Sequence, residues 1–163
     1  MANGIFADNA DITLGGKILS SSENSNAYGI WAENELHLKM LDGSEISAIA
    51  ANENSSTQAI RSKNLYLTFD GSATINGDLM ADAGMELNNG GNVVVNGNIE
   101  GKHLAAESTI GTVSGKMKFD SVAGLNITAS VGSLEIGMSG EGFGGILKST
   151  QSRHQQTFQT PFW

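Results

Sequence analysis

Residues 4–14 read GIFADNADITL, and residues 29–38 read GIWAENELHL. Both open on Gly-Ile-aromatic-Ala-acid-Asn, and both run on into apolar residues alternating with polar ones. A phrase that returns after 25 residues marks a chain built from one supersecondary unit used repeatedly. The alternation in LHLKM (36–40) and LYLTF (65–69) has the period of a half-buried β-strand.

Working outward from the Ile of that phrase, five apolar anchors align: Ile5, Ile30, Ile60, Leu79 and Leu104, spaced by 25, 30, 19 and 25 residues. A small residue follows each anchor by two positions: Ala7, Ala32, Ser62, Ala81 and Ala106. A second apolar position lies eight residues beyond the strand in three consecutive units, from Leu38 to Ile46, Leu67 to Ile75 and Leu87 to Val95. No segment sustains helical spacing. Units made only of short strands and turns cannot bury their own apolar faces, so copies must stack, with strands pairing in parallel about 4.8 Å apart.

The expected fold is therefore all-β: a single-stranded parallel β-helix over residues 1–150, a right-handed solenoid of about six to seven rungs. The excess length collects at one corner, in SSSENSN (20–26) and ANENSSTQ (51–58), where insertion costs little. The stretch 151–163, QSRHQQTFQTPFW, breaks the pattern and reads as a tail or cap, with Phe158, Phe162 and Trp163 as the plug.

Composition narrows the function. A chain of 163 residues suits one domain, and 21 Gly against one Pro suits many turns. Without Cys there is neither a disulfide framework nor a thiolate metal site. A net charge of −8 disfavours a phosphate backbone, so no nucleic-acid partner is expected. No apolar run approaches the roughly 20 residues that span a bilayer, so no membrane insertion by this chain is expected. The opening MANGIFADNADI lacks the features of a signal peptide. With a repeat already under way at residue 4, the chain reads as a piece of a longer precursor.

Stacking would turn aligned positions into columns. Asn9, Asn34 and Asn64 would form a structural ladder of amides passing hydrogen bonds from rung to rung. Asp8, Glu33, Lys63, Asp82 and Glu107 would share a corner where Lys63 relieves the repulsion, a solvated turn in preference to a calcium site. Phe6, Trp31 and Arg61, continued by Met80 and Ala105, would face outward as a candidate contact surface with a cation–π pair. The loops at 20–26 and 51–58 are placed to fold over it.

Catalytic signatures are missing from the sequence. His37, His103 and His154 lie in separate units without metal-ligand spacing, and no G-x-S-x-G, P-loop or H-E-x-x-H occurs. GEGFGG (140–145) lacks the strand-to-helix context of a phosphate loop. With Arg61 and Arg153 the only arginines, no face gathers the charged groups of a polysaccharide-cutting β-helix. A non-enzyme without catalytic residues, metal or cofactor is expected.

The phrases AYGIWAENELHL and GIFADNADITL resemble the passenger repeats of Gram-negative autotransporter proteins, a likeness running over about residues 4–146. The resemblance implies an adhesin-like β-helix stalk, secreted or at the bacterial cell surface, whose partner is a surface glycan or a protein receptor. INGDLMADAGMEL (75–87) and VNGNIEGKHLAAESTI (95–110) look like the rungs of bactofilins, cytoplasmic β-helices that polymerise end to end. Against that rival stand the long Ser/Asn loops and the irregular spacing. A phage or polysaccharide-processing β-helix is a third reading, with only the fold in its favour. Self-association through the N-terminal rung is expected, because an open parallel edge is a template for another strand.

Overall fold

Alternation decides where each strand sends its side chains. Leu36, Leu38 and Met40 are buried, while His37 and Lys39 between them face solvent. Leu65, Leu67 and Phe69 repeat the arrangement around an exposed Tyr66. The computed structural model describes residues 1–52 and 54–137, together with the backbone of 146–149. GEGFGG and the stretch 151–163 lie outside the described residues, and so does the cap expected there.

The described residues form twelve strands and no helix. In chain order these are β1 (Ala2–Leu14), β2 (Lys17–Ser22), β3 (Ala27–Leu41), β4 (Ser44–Ala50), β5 (Thr57–Asp70) and β6 (Ala73–Asn76). They continue as β7 (Asp78–Asn88), β8 (Gly90–Asn96), β9 (Ile99–Leu104), β10 (Ser108–Val122), β11 (Gly124–Ile136) and β12 (Ile146–Ser149).

Every pairing is parallel, and the sheet runs in the order β1-β3-β5-β7-β9-β10-β8-β6-β4-β2, with β11 on β10 and β12 on β11. Odd-numbered strands up to β9 therefore line one side and even-numbered strands up to β8 the other. β10 joins the two sides, since its Ile110–Val113 half lies on β8 and its Met117–Val122 half on β9. The result is one nearly closed parallel sheet around a single core.

Register builds that core from columns. One runs Ile5, Ile30, Ile60, Leu79, Ile99, Met117 and Leu134. A second runs Ala10, Leu36, Leu65, Met85, Leu104 and Val122. From the even-numbered strands comes a third: Ile18, Ile46, Ile75, Val95, Val113 and Val131.

The fifth anchor expected from sequence is thus corrected. Leu79 pairs with Ile99, whereas Leu104 pairs with Met85 in the neighbouring column. The sequence misleads here because the small position two after Ile99 is Gly101, while Leu104 is followed by Ala106 and imitates the motif. Gly101 is empty for a reason: a Cβ there would sit 3.1 Å from the ring of Phe119, its register partner on β10. Phe119 itself is buried, so its ring fills the volume that an alanine occupies earlier in the column.

The Gly that opens the repeated phrase also has a steric cause. A Cβ on Gly4 would lie 2.6 Å from the carbonyl oxygen of Gly29, and one on Gly29 would lie 2.5 Å from that of Ala59. Successive strands approach too closely at this corner for a side chain.

Among the described residues, β1 pairs only with β3, and β2 only with β4. Ile5, Ile12, Leu14 and Ile18 are accordingly half-buried, although their column partners Ile30, Leu38, Met40 and Ile46 are buried.

Candidate contact surface

The outward column next to the anchors runs Phe6, Trp31, Arg61, Met80, Glu100, Lys118 and Glu135. Ala105, expected as its fifth member, is not in it; the shift from Leu104 to Ile99 puts Glu100 there instead. Phe6, Trp31 and Arg61 do come together. Phe6 meets Trp31 edge-on, with ring centroids 5.2 Å apart at 74°, and the Arg61 guanidinium carbon lies 5.8 Å from the Trp31 centroid. Asp82 Oδ2 accepts from Arg61 Nη2 at 3.3 Å and holds the guanidinium in place. At such an exposed site the cation–π contact is worth about 0.5–1 kcal/mol. Phe6 stays 53 % exposed, so the apolar end of the strip is open to solvent.

One member was missed from sequence. Tyr28 packs on Trp31 with centroids 5.0 Å apart at 37°, and it is buried. By alternation it shares the parity of Ile30 and reads as inward; the corner at Gly29 places it beside Trp31 instead. Asn26 Nδ2 donates to the Tyr28 hydroxyl at 3.2 Å, and Asn26 Oδ1 accepts the Ser56 N–H at 3.0 Å. The two polar connections are thereby pinned to each other, and it is Tyr28 that lies against Trp31. Gln58, the register partner of Tyr28, donates to Met80 Sδ at 3.6 Å, while its buried Oε1 has no protein donor.

The asparagines expected as a ladder are arranged differently. Asn9 pairs in register with Glu35, and Glu35 with Asn64, because the strands bulge at this corner. Asn34 falls within the bulge, and its Nδ2 donates to Asp8 Oδ1 at 2.6 Å; Asn9 Nδ2 reaches Asp8 Oδ2 at 3.2 Å. A bulge inserts a residue on one strand only, so equal offsets from the anchors do not give equal places in the sheet. Glu107 is likewise away from the acidic corner, in the turn before β10, where its φ is 65°.

An amide ladder does exist on the other side. Asn96 Nδ2 donates to Asn76 Oδ1 at 2.8 Å, and Asn76 Nδ2 donates to Ser47 Oγ at 2.8 Å and Glu45 Oε1 at 3.0 Å. Lys17 Nζ closes the network on Glu45 Oε2 at 2.6 Å. Four strands are tied by these contacts, from β2 to β8. The Lys17 hydrogen bond, with Ser47 and Asn76 adding to it, holds the Glu45 carboxyl below its ordinary value. Asp42 is lowered too, chiefly by the Ser72 N–H at 2.7 Å and then by the Ser72 hydroxyl at 2.9 Å.

The pH dependence follows from these two directions. Both folded values lie below the ordinary ones of 3.8 and 4.5, so the stabilisation is present above those values and is lost as pH falls through the lower folded ones. The melting temperature should drop between about pH 5 and pH 2, and an Asp42→Asn/Glu45→Gln variant should show a shallower drop. Parallel pH profiles for the two proteins would refute this assignment.

His37 stacks on Tyr66 with centroids 4.5 Å apart and its Nε2 lies 2.6 Å from Glu35 Oε1, while His103 Nδ1 lies 2.9 Å from Ser121 Oγ. Among the described residues no three His, Cys, Asp or Glu side chains are grouped to hold a metal ion. None of the described residues belongs to a helix long and apolar enough to cross a membrane. Compared with protein-family models, curated proteins and solved structures, the chain matches none.

Proposed function

We propose that the chain is a right-handed parallel β-helix of about six to seven rungs and serves as a non-enzymatic, adhesin-like stalk of a bacterial surface protein. The observation that supports this reading is the unbroken column from Ile5 to Leu134, in which each strand pairs with its counterpart one turn of the chain later. Seven members at about 4.8 Å per step make a core roughly 30 Å long. Interstrand hydrogen bonds then lie along the axis, which gives a stiff rod. The strip from Phe6 to Arg61 offers that rod an apolar and cationic face for a surface glycan or a protein receptor.

Antibodies against the chain should stain intact cells of the source bacterium. Staining only after permeabilisation would overturn the surface assignment. The outer edge of β1, unpaired among the described residues, favours one alternative, an end-to-end cytoplasmic polymer of the bactofilin kind, and internal filaments in that experiment would be its mark. Purified protein should release no reducing ends from common polysaccharides. Release abolished by changing one carboxylate would establish an enzyme.

A further inference from the structure

We propose that Met80 is an oxidation site, whose sulfoxide oxygen is received by the side-chain amide of Gln58. The inference goes beyond the stalk reading and stands without it, because it uses only contacts between β5 and β7.

Access separates Met80 from the methionines of the core. Met40, Met85 and Met117 are buried, so an oxidant in solution cannot reach their sulfurs while the sheet is closed. Met80 lies on the outward side of β7, half-buried, with Arg61 and Glu100 as its register partners. Met1 is exposed as well. What sets Met80 apart from it is a donor already aimed at the sulfur: Gln58 Nε2 lies 3.6 Å from Met80 Sδ.

That donor is poorly served at present. A thioether sulfur is a weak acceptor. Gln58 is only 7 % exposed, and among the described residues its Oε1 has no partner. The amide has therefore given up its water for one weak contact, and a buried polar group in that state is destabilising. An oxygen on the sulfur changes this. It is a stronger acceptor than the thioether, and the rotatable bonds of the Met side chain let it turn onto Nε2.

The step is an oxygen transfer from hydrogen peroxide. A sulfur lone pair attacks one peroxide oxygen, and the S–O bond forms as the O–O bond breaks. The proton on the attacked oxygen passes to the departing one, which leaves as water. Sulfur is oxidised by two electrons and the peroxide is reduced by two. Met80 continues the outward column of Phe6, Trp31 and Arg61, so the oxygen appears beside the guanidinium at the end of the strip. Methionine sulfoxide reductases restore the thioether, which makes the mark reversible.

The test treats the full chain with hydrogen peroxide at neutral pH and follows each Met peptide by mass. A protease that cuts before Asp separates Met80 from Met85 at Asp82. In the folded chain Met80 should oxidise at least about tenfold faster than Met40, Met85 and Met117, and in urea all four should react alike. Equal rates in the folded chain would overturn the site. The receiving amide is read by NMR on 15N-labelled protein. The Gln58 side-chain N–H signals should shift on oxidation and return after reductase treatment, and in Met80→Leu peroxide should leave them in place. Gln58 signals that ignore the oxidation of Met80 would refute the acceptor. Melting provides a second reading. The change in melting temperature on oxidation should be more favourable in the parent than in Gln58→Leu by about 2–4 °C, the size of one hydrogen bond in a chain of this length. Equal changes would also count against the proposal, and if Gln58→Leu does not fold, the amide signals decide.

Discussion

Ile60→Asp should leave the protein unfolded at neutral pH. Ile60 is fully buried in β5, in register with Ile30 on one side and Leu79 on the other, at the middle of the described core. Removing its side chain alone costs about 2–5 kcal/mol in a core that cannot collapse onto the gap. The carboxylate adds a buried charge with no partner, since both column neighbours are aliphatic. The sum approaches or exceeds the roughly 5–15 kcal/mol by which a domain is stable. Neighbouring strands should go together, because each rests on the same column. Circular dichroism and urea titration provide the measurement, with Ile5→Asp as the comparison. Ile5 is only half-buried, where a carboxylate keeps access to water, so its cost should be several-fold smaller. An Ile60→Asp protein with the parent's urea midpoint would show that the column is wrongly assigned.

The second large effect is expected at Gly29. Gly29→Val would place a Cβ 2.5 Å from the Ala59 carbonyl oxygen and 2.6 Å from Ile46 Cγ2. Neither can yield cheaply, since Ala59 is backbone within β5 and Ile46 is a buried member of the opposite column. Relief requires separating β3 from β5, which breaks ladder hydrogen bonds along two long strands. A loss of more than about 3 kcal/mol is expected, read as a lowered urea midpoint. Gly84→Ala is the internal control: its nearest neighbour would be Asn64 Oδ1 at 3.4 Å, an ordinary contact. That variant should stay within about 1 kcal/mol of the parent. Equal effects at the two glycines would mean that the close corner approach plays no part.

The amino-acid sequence by itself determined the all-β class, the strands and most of the inward residues. Alternation is a property of neighbours along the chain, and it marks Leu36, Leu38 and Met40 as inward without knowledge of what covers them. The link from Leu38 to Ile46, and from Leu67 to Ile75, was equally legible, because a short turn keeps both ends of the interval local. The contact of Phe6 with Trp31 and of Trp31 with Arg61 followed as well, since no bulge intervenes between those positions and the anchors.

Only the tertiary structure decided what depends on counting across strands. Bulges between Ala7 and Asn9, Trp31 and Glu35, Ser62 and Asn64, and Ala81 and Gly84 all fall at one corner. A bulge residue is indistinguishable in sequence from one that pairs, so Asn34 was read one place off and its bond to Asp8 was missed. Ile99 was hidden for a different reason: the ring that requires Gly101 belongs to Phe119 on another strand. Tyr28 reached Trp31 through a corner where alternation lapses, and β10 joined both sides of the sheet because its two halves face different neighbours. Each of these depends on distances between atoms far apart in the chain, and periodicity carries no record of them.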